Sequence, residues 1–390
     1  MRYNIPLAKM GIVKHMEKRD RTAALEASVP AFVIAYSDSA FANPHQVVSP
    51  QEPQFDPDAF TYTGKEMDGI ESRRHTAVQH IAEPQADGFV FKTDSCNWFE
   101  IGLKRRTNVE KLIISTRWFT GNQVPRVSVS LKDKLTGTTR EVLHKVALPP
   151  DSEQEFAVTP PMVATEIKVL CYYDGGITRV YCFGEPAEPM PERENLLAGA
   201  SISHVSNEHY GKPSQAVAGD RKIGHMLGWE SARTGFGEQA LFQLGEAATI
   251  DEIVVDTYMH VFNSPLSCHV FALHNTSGAT NDELIKAAPR WKLCFAGGRE
   301  VIPDNLPAYM KEEQYLKETQ GKAEPFQFKM HIAPGSPWKP LLPFARLQRD
   351  TMHFFDKLEN LGPVTHVLFM HFPNGGIHGL KCHGTRLSKK

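Results

Sequence analysis

The chain has 390 residues, of which 41% are hydrophobic and 23% are charged, and its 43 basic residues nearly balance its 45 acidic ones. A chain of this length exceeds what one hydrophobic core usually serves, so two domains are expected. The net charge of −2 argues against non-specific binding of nucleic acid, and no apolar run is long enough to predict a transmembrane segment.

Residues 1–24 form a basic N-terminal extension. Up to Arg21 it carries six basic residues against Glu17 and Asp20. A basic start is a feature of organelle-targeting segments, and a solvated tail is the alternative.

The six cysteines are scattered and contain no Cys-x-x-Cys pair, which favours free thiols over a disulfide framework. His260, Cys268 and His269 lie near one another in the sequence, but no second cluster completes a set of zinc ligands. The sequence therefore predicts no metal site and no cofactor.

The rest of the chain contains two copies of one module, as four pairs of similar segments in the same order indicate. The pairs are residues 37–44 with 206–213, 68–74 (DGIESRR) with 227–233 (LGWESAR), 111–116 with 252–257, and 174–177 (DGGI) with 374–377 (NGGI). The first copy spans residues 25–185, and the second spans residues 195–390. Residues 186–194 form a Pro-rich linker, a composition typical of a domain boundary.

The second copy is longer than the first. Glu71 and Asp174 are 103 positions apart, whereas their counterparts Glu230 and Asn374 are 144 apart, a difference of 41. We expect the additional residues at about 297–350.

This insertion is expected to be partly helical and partly irregular. Residues 311–318 are charged and helix-prone, and residues 334–343 are rich in proline. A segment of this kind has no core of its own, so it must pack on its own domain or on another chain.

Short segments that are rich in β-branched or aromatic residues, and are bounded by Gly, Pro, Asn or Asp, predict strands in both copies. They are residues 111–116, 126–131, 166–172, 253–257 and 366–372. No helical segment alternates regularly with them. The pattern therefore favours an all-β, antiparallel sandwich over a parallel α/β sheet.

Several motifs resemble the signature of the allantoicase family. They are residues 55–60 (FDPDAF), 64–75 (GKEMDGIESRRH), 119–122 (FTGN), 174–179 (DGGITR) and, in the second copy, 229–233 (WESAR). The resemblance covers roughly residues 24–385 apart from the insertion. It implies two tandem jelly-roll β-sandwiches that are similar to galactose-binding-like domains. It also implies hydrolysis of allantoate to ureidoglycolate and urea, and assembly into homo-oligomers.

Allantoate is an anion with two ureido groups, so a site for it needs Arg to hold the carboxylate. It also needs a carboxylate or His to move protons as urea departs. The resemblance and this chemistry give Glu71, His75 and Asp174 as catalytic candidates. The substrate-binding candidates are Arg73, Arg74, Asn122, Arg179, Glu230 and Arg233. The alternative for the run at residues 71–74 is a structural network of ion pairs in a loop.

The chain departs from the family pattern at ionisable positions. Of the family's Gly-His-Asp-Trp element, only Trp98 persists in residues 94–98, and only the leading Gly persists in residues 235–240. Residues 374–379 lack the Asp and the Arg of the Asp-Gly-Gly-x-x-Arg element. Turn glycines persist because of their backbone conformation, whereas loss of charge from a preorganised site reduces the rate.

This pattern favours a non-catalytic, allantoicase-like structural subunit of a larger complex. ATP synthase and the respiratory complexes are examples, and such a role implies other protein subunits as partners and a mitochondrial location. The alternative is an active allantoicase in the cytoplasm or the peroxisome, although residues 388–390 (SKK) differ from the Ser-Lys-Leu peroxisomal address. A third interpretation, a carbohydrate-binding module, follows from fold analogy alone.

Overall fold

The computed structural model describes residues 25, 27–76, 96–221, 228–233, 235–302, 310–311 and 325–387. The chain divides into two compact units, Met1–Met190 (unit 1) and Pro191–Lys390 (unit 2). In its described parts, the chain has no helix that is both long and apolar enough to cross a membrane.

The described residues of unit 1 form mainly antiparallel strands, together with the 3-10 helix Pro44–Val48. Its strands are β1 (Ala31–Tyr36), β2 (Phe60–Thr61), β3 (Gly64–Lys65), β4 (Ile70–Glu71), β5 (Cys96–Ser115), β6 (Arg126–Lys132), β7 (Thr139–Ala147), β8 (Glu153–Tyr172), β9 (Gly176–Ile177) and β10 (Arg179–Pro186).

The long strands β5 and β8 change neighbours halfway along their length. The first half of β5 pairs with β1 and with the end of β8, whereas its second half pairs with β10 and with the start of β8. The register between β5 and β8 shifts between Gly102 and Thr107, where this change occurs. Strands that pass from one sheet to the other at an irregularity are typical of a β-sandwich. Phe99 and Leu112, from the two halves of β5, belong to one buried core.

Unit 2 repeats this plan with additional elements. Its strands are β11 (Ser201–Ser203), β12 (Trp229–Glu230), β13 (Gly235–Phe236), β14 (Glu238–Asp256), β15 (Ser267–Leu273), β16 (Arg290–Phe295), β17 (Glu300–Val301), β18 (Met310–Lys311), β19 (Phe326–His331), β20 (Lys339–Arg346), β21 (Met352–Phe355), β22 (Val364–Phe372), β23 (Gly376–Ile377) and β24 (Gly379–Arg386). Its helices are α1 (Pro213–Ala216) and α2 (Asn281–Lys286).

Strand β14 corresponds to β5. Its first half pairs with β11 and β22, and its second half pairs with β24 and β21. The sheet order is β1-β5-β8-β6-β7 in unit 1 and β11-β14-β22-β15-β20 in unit 2, so β21 and β22 together replace the single β8. The repeated order confirms the predicted all-β fold, in which two tandem sandwiches each follow the jelly-roll plan.

The additional residues of unit 2 lie between β15 and β20. The equivalent strands of unit 1, β6 and β7, are joined by six residues, 133–138. In unit 2 the connection is the 65 residues 274–338, an interval that overlaps the predicted 297–350. It contains α2 and a three-stranded sheet in the order β17-β16-β19.

The insertion packs on its own unit. Helix α2 begins with a capping box, in which the side chains of Thr280 and Glu283 each accept a hydrogen bond from the other's backbone N–H. Leu284 of α2 and Trp291 of β16 share a buried cluster with Phe271 of the sandwich. The apolar side chains of α2 and of the start of β16 are therefore covered within unit 2.

Some predictions about the insertion and the chain start differ from the structure or fall on residues that it does not describe. Strand β20 begins at Lys339, inside the stretch 334–343 that was expected to be irregular. Strand β20 is the last strand in its sheet order, and its register with β15 shifts on both sides of Val270. Proline is tolerated in an edge strand with such irregularities, so this Pro-rich stretch can still form a strand. Of the helix-prone run 311–318, only Lys311 is described, and it lies in β18. The basic extension, residues 1–24, lies outside the described residues.

Candidate active site

In unit 1 the charged run at residues 71–76 lies alongside the Asp-Gly-Gly turn. Glu71 is opposite Gly176 in the ladder between β4 and β9. Just beyond the ladder, the Ser72 N–H donates to the Gly175 carbonyl, and the Gly175 N–H donates to Ser72 Oγ, both at 3.2 Å. These bonds fix the two segments side by side.

Both glycines of this turn meet a steric demand. Gly175 has a φ of +143°, and a Cβ there would lie 2.5 Å from the backbone carbon of Gln123. A Cβ on Gly176 would lie 2.2 Å from the ring of Phe119. A side chain at either position would push apart the segments that carry the candidate residues.

Glu71 is the buried carboxyl group of this site. It is 8% exposed, and Asn122 Nδ2 donates a hydrogen bond of 2.8 Å to its Oε1. Burial raises the pKa of Glu71 to about 7, although the hydrogen bond from Asn122 and the charge of Arg74 oppose the rise. Both protonation states are therefore populated near neutral pH, which suits a group that gives and takes a proton.

Asp174 shapes the turn that carries His75. Its carboxylate accepts hydrogen bonds from the backbone N–H of His75, from that of Thr76 at 3.2 Å, and from Asn97 Nδ2 at 3.2 Å. His75 has a φ of 63°, a conformation that is unfavourable for a residue with a side chain. The Asp174 carboxylate stabilises this backbone and leaves the His75 side chain exposed.

Arg73 and Arg74 are both exposed at this surface. Asp38 holds Arg73, whose Nε and Nη2 donate to Asp38 Oδ1 at 3.0 and 2.7 Å. Arg74 is close enough to Glu71 to lower its pKa. These two guanidinium groups make the surface beside Glu71 suitable for an anion.

Arg179 lies elsewhere, inside unit 1. Its side chain is 1% exposed, and its Nη1 and Nη2 bind the two oxygens of Asp68 at 2.8 and 2.7 Å. Its Nε donates to the Gln51 carbonyl at 3.0 Å. Asp68 also accepts the Gln54 N–H, so Arg179 anchors the segment 51–54 through bonds that occupy all three of its nitrogens.

Unit 2 contains the same arrangement around Glu230. Glu230 is opposite Gly376 in its ladder, and Asn263 Nδ2 donates a hydrogen bond of 2.7 Å to Glu230 Oε1. The Ser231 N–H donates to the Gly375 carbonyl, and the Gly375 N–H donates to Ser231 Oγ, both at 3.1 Å. The carboxyl–amide pair is thus a feature of both repeats.

The surroundings of that pair differ between the units. In unit 2, Ala232 takes the place of Arg73, and its N–H donates to Asn207 Oδ1 at 3.2 Å. Asn374 takes the place of Asp174 and donates through Nδ2 to the Gly235 carbonyl at 2.9 Å. His260 packs its ring against Gly376, as Phe119 packs against Gly176. Of the predicted anion-binding groups, only Arg233 is exposed here.

A buried Arg–Asp ion pair occurs in both units, but the Arg and the Asp lie on opposite kinds of element in the two units. Arg221 donates through Nε and Nη2 to the two oxygens of Asp256 at 2.8 and 2.6 Å, and each side chain is 5% exposed. Asp256 is opposite Gly379 in the sheet of unit 2, and Ser115 is opposite Arg179 in the sheet of unit 1. Asp256 therefore corresponds to Ser115, and Gly379 corresponds to Arg179. Unit 1 therefore places the Arg on the strand and the Asp on the loop, whereas unit 2 does the reverse.

The structure brings one set of predicted residues together and places the others apart. Together in unit 1 lie Glu71, Arg73, Arg74, His75, Asn122 and Asp174. Arg179 is buried in its own ion pair, and Glu230 and Arg233 belong to unit 2. Across the described residues, no three His, Cys, Asp or Glu side chains converge to hold a metal ion. Asp38 and Asp68 were missed, although both lie in the repeated segments 37–44 and 68–74.

Comparison with known proteins agrees with the duplicated architecture. A family model described as the allantoicase repeat matches residues 24–187 and again residues 194–387. A probable allantoicase of Photobacterium profundum is 25% identical over 371 residues, which cover 91% of this chain and 93% of the relative. One of Pseudomonas aeruginosa is 26% identical over 389 residues, which cover 95% and 98%.

Among solved structures, the crystal structure of allantoicase from Saccharomyces cerevisiae is similar over 95% of this chain and 98% of its own. The sequence identity is 20% and the TM-score is 0.33. The fold assignment therefore stands on the strand order described above, and the assignment to a family stands on the two repeat matches. Because these matches cover nearly the whole chain, the protein belongs to the allantoicase family.

Proposed function

We propose that the chain hydrolyses allantoate to ureidoglycolate and urea, and that unit 1 carries the reaction. The observation behind this proposal is Glu71, a buried carboxyl with a pKa of about 7 that is held by Asn122 and lies beside Arg74. The names of relatives that match over nine-tenths of the chain support the same activity.

Glu71 acts first as an acid and then as a base. In its protonated form it gives its proton to the nitrogen of the departing ureido group as the carbon–nitrogen bond breaks, and the bonding electron pair goes to that nitrogen. The lone pair of the other ureido nitrogen forms the carbon–nitrogen double bond that replaces it. Water then adds to the carbon and Glu71 takes its proton, so one water is consumed and the carboxyl is restored.

The remaining groups bind and orient. Asn122 fixes one oxygen of Glu71, which leaves the other to face the substrate. Arg73 grips the substrate carboxylate, since guanidinium and carboxylate match as a fork. Arg74 adds positive charge beside Glu71. Asp174 keeps the backbone of His75 in its turn, and the exposed His75 imidazole remains a candidate second proton carrier.

The sequence favoured a non-catalytic subunit because charged groups of the family pattern were missing. At two of these departures the structure shows another polar or charged contact. Asn97 donates a hydrogen bond to Asp174, and Arg221 binds Asp256, which is opposite Gly379 in the sheet. These contacts and the named relatives favour the alternative, an active allantoicase. The accessory-subunit role, its partner subunits, the mitochondrial location and carbohydrate binding remain predictions.

The test is to incubate the purified full chain with allantoate and measure urea and ureidoglycolate. We expect turnover by the wild type and its loss in Glu71→Gln. Glu238→Gln is the matched control, because burial also raises the pKa of Glu238 to about 7 but this residue lies in unit 2.

Absence of turnover by folded wild-type protein would contradict the proposal. Native electrophoresis of a cell extract would then test the accessory-subunit prediction, which requires migration within a large assembly.

A further inference from the structure

Asp38 makes an unusually complete set of bonds to one exposed arginine. Its Oδ2 accepts the backbone N–H of Arg73 at 2.7 Å, and its Oδ1 accepts Nε and Nη2 of the same residue. Asp38 itself is 5% exposed, whereas the Arg73 side chain is 58% exposed. A buried carboxylate therefore fixes the orientation of a guanidinium at the surface.

These bonds occupy one edge of the Arg73 guanidinium and leave its other edge available to a ligand. Nε and Nη2 face Asp38, while Nη1 has no hydrogen bond to any described residue. Arg179, another candidate for the substrate carboxylate, is buried with all three nitrogens bonded. Arg73 is thus the one of these two arginines that can bind an anion from solvent without breaking an existing bond.

Unit 2 separates the backbone role of Asp38 from its charge. Asn207 stands at the position of Asp38 and accepts the backbone N–H of Ala232, which stands at the position of Arg73. The turn therefore forms with a neutral amide as the acceptor. The negative charge occurs in the unit that has the arginine, which indicates that the charge serves the side chain of Arg73 rather than the turn.

We propose that Asp38 is a positioning residue for the substrate: it holds Arg73 so that the outer edge of the guanidinium grips the carboxylate of allantoate beside Glu71. This inference rests on the proposed function. Because Arg73 is ordered before the substrate arrives, its rotamer freedom is lost on folding and not on binding.

If Asp38 acted only through its charge, its removal would change the affinity for the substrate in the opposite direction. Removing the charge of Asp38 leaves Arg73 as an uncompensated cation, which would attract an anion more strongly. The positioning role predicts weaker binding after the same change, since Arg73 then has to be ordered by the substrate. The direction of the effect therefore distinguishes the two.

The experiment uses Asp38→Asn in the full chain, a change that gives unit 1 the residue found at this position in unit 2. We expect KM for allantoate to rise about tenfold, the loss expected from ordering one long side chain on binding, with kcat within about twofold. The midpoint of thermal unfolding should not change, because an amide oxygen still accepts the Arg73 N–H. The matched control is Asn207→Asp, which introduces the same charge where Ala232 takes the place of Arg73 and should leave KM unchanged.

Two further measurements make the result decisive. Arg73→Ala should raise KM, and the double variant with Asp38→Asn should raise it no further, since Asp38 acts only through Arg73. A lowered or unchanged KM in Asp38→Asn, or additive effects in the double variant, would overturn the proposal.

Binding of hydantoate, measured by calorimetry, separates this inference from the proposed function. Hydantoate has a carboxylate and a single ureido group, so it lacks the second nitrogen that expels urea. A tenfold weaker binding in Asp38→Asn would support the positioning role even if no variant released urea from allantoate. Equal binding to both proteins would contradict it.

Discussion

Units 1 and 2 have the same backbone at the candidate site but carry different charges on it. Each places a Glu opposite a glycine, bonds it to an Asn, at 2.8 Å in unit 1 and 2.7 Å in unit 2, and joins the neighbouring Ser and Gly by two hydrogen bonds. Unit 1 adds the Arg73–Asp38 pair, where unit 2 has Ala232 and Asn207. Steric requirements have kept the turns alike in the two units, whereas the charged residues differ in pairs: where one member of a pair is absent, its partner is absent too.

The buried ion pairs show the same rule. Arg179–Asp68 and Arg221–Asp256 each join a strand to a loop, with the two charges on opposite elements. A buried charge needs a partner, so either both members are kept or both are moved. Similarity between repeats at single positions therefore underestimates how much chemistry they share.

The largest expected asymmetry is in activity. Glu71→Gln should lower kcat/KM for allantoate by at least about 100-fold, because it removes the acid that protonates the departing ureido group. Glu230→Gln, the direct counterpart in unit 2, should lower it by less than about tenfold. Rates of urea release measure both, and equal losses would mean that the two repeats share the reaction.

Both buried Arg–Asp ion pairs should be important to stability. Arg179→Met and Arg221→Met each leave an aspartate without its partner, which costs about 3–5 kcal/mol when the remaining charge is buried. Asp256 is 5% exposed and Asp68 17%, so the larger effect is expected in unit 2. Urea unfolding gives the size, and hydrogen exchange in β10 and β24 gives the unit affected. A change below about 1 kcal/mol in both would refute this prediction.

Acid should weaken unit 2 more than unit 1. Burial lowers the pKa of His371 to about 3, so the folded state binds its proton less readily than the unfolded state does. Stability is therefore present above the usual histidine pKa and is lost as the pH falls below it, by about 2 kcal/mol between pH 7 and about pH 5. Hydrogen exchange in β22 at the two pH values measures this.

His371→Cys is the variant that tests this prediction, because Cys171 occupies the equivalent position of β8. It should reduce the acid sensitivity of unit 2. An unchanged loss of protection in β22 would assign the acid effect to other groups.

The last prediction concerns the glycines of the turn. Gly175→Ala and Gly375→Ala should each destabilise the protein by about 1–3 kcal/mol, because both positions have positive φ and lie against backbone atoms. Gly121→Ala is the control, since a Cβ there meets nothing within 4 Å. Thermal unfolding of the three variants makes the comparison, and equal midpoints would show that the turns adjust.

The fold was predictable because its signals are local. Strand composition, turn glycines and the repeated motifs predicted an all-β fold with two repeats, and the strand order of both units agrees with it. The location of the insertion was harder to predict, because the net difference of 41 residues is the sum of one insertion and one deletion in unit 2 relative to unit 1. There are 59 more residues between β15 and β20 than between β6 and β7, and 18 fewer between Glu230 and Glu238 than between Glu71 and Asn97.

The site was partly predictable for the same reason. Glu71, Arg73 and His75 lie in one contiguous motif, and the structure keeps them together. Asp38 acts on Arg73 from 35 positions away, and Arg221 acts on Asp256 across the same distance in the chain. Contacts of this kind depend on how strands pair and cannot be read from motif spacing. Sequence comparison alone therefore counted the absent Arg at position 379 as a loss.

The pH dependence of kcat/KM for allantoate tests the central claim most directly, because kcat/KM reports ionisations of the free enzyme. If the buried carboxyl of Glu71 delivers the proton to departing urea, activity falls as the pH rises past its pKa of about 7. This inflection should persist in Glu238→Gln, whose carboxyl has a similar pKa. A profile that stays flat from about pH 5.5 to about pH 9, or an unchanged inflection in the residual activity of Glu71→Gln, would contradict the account.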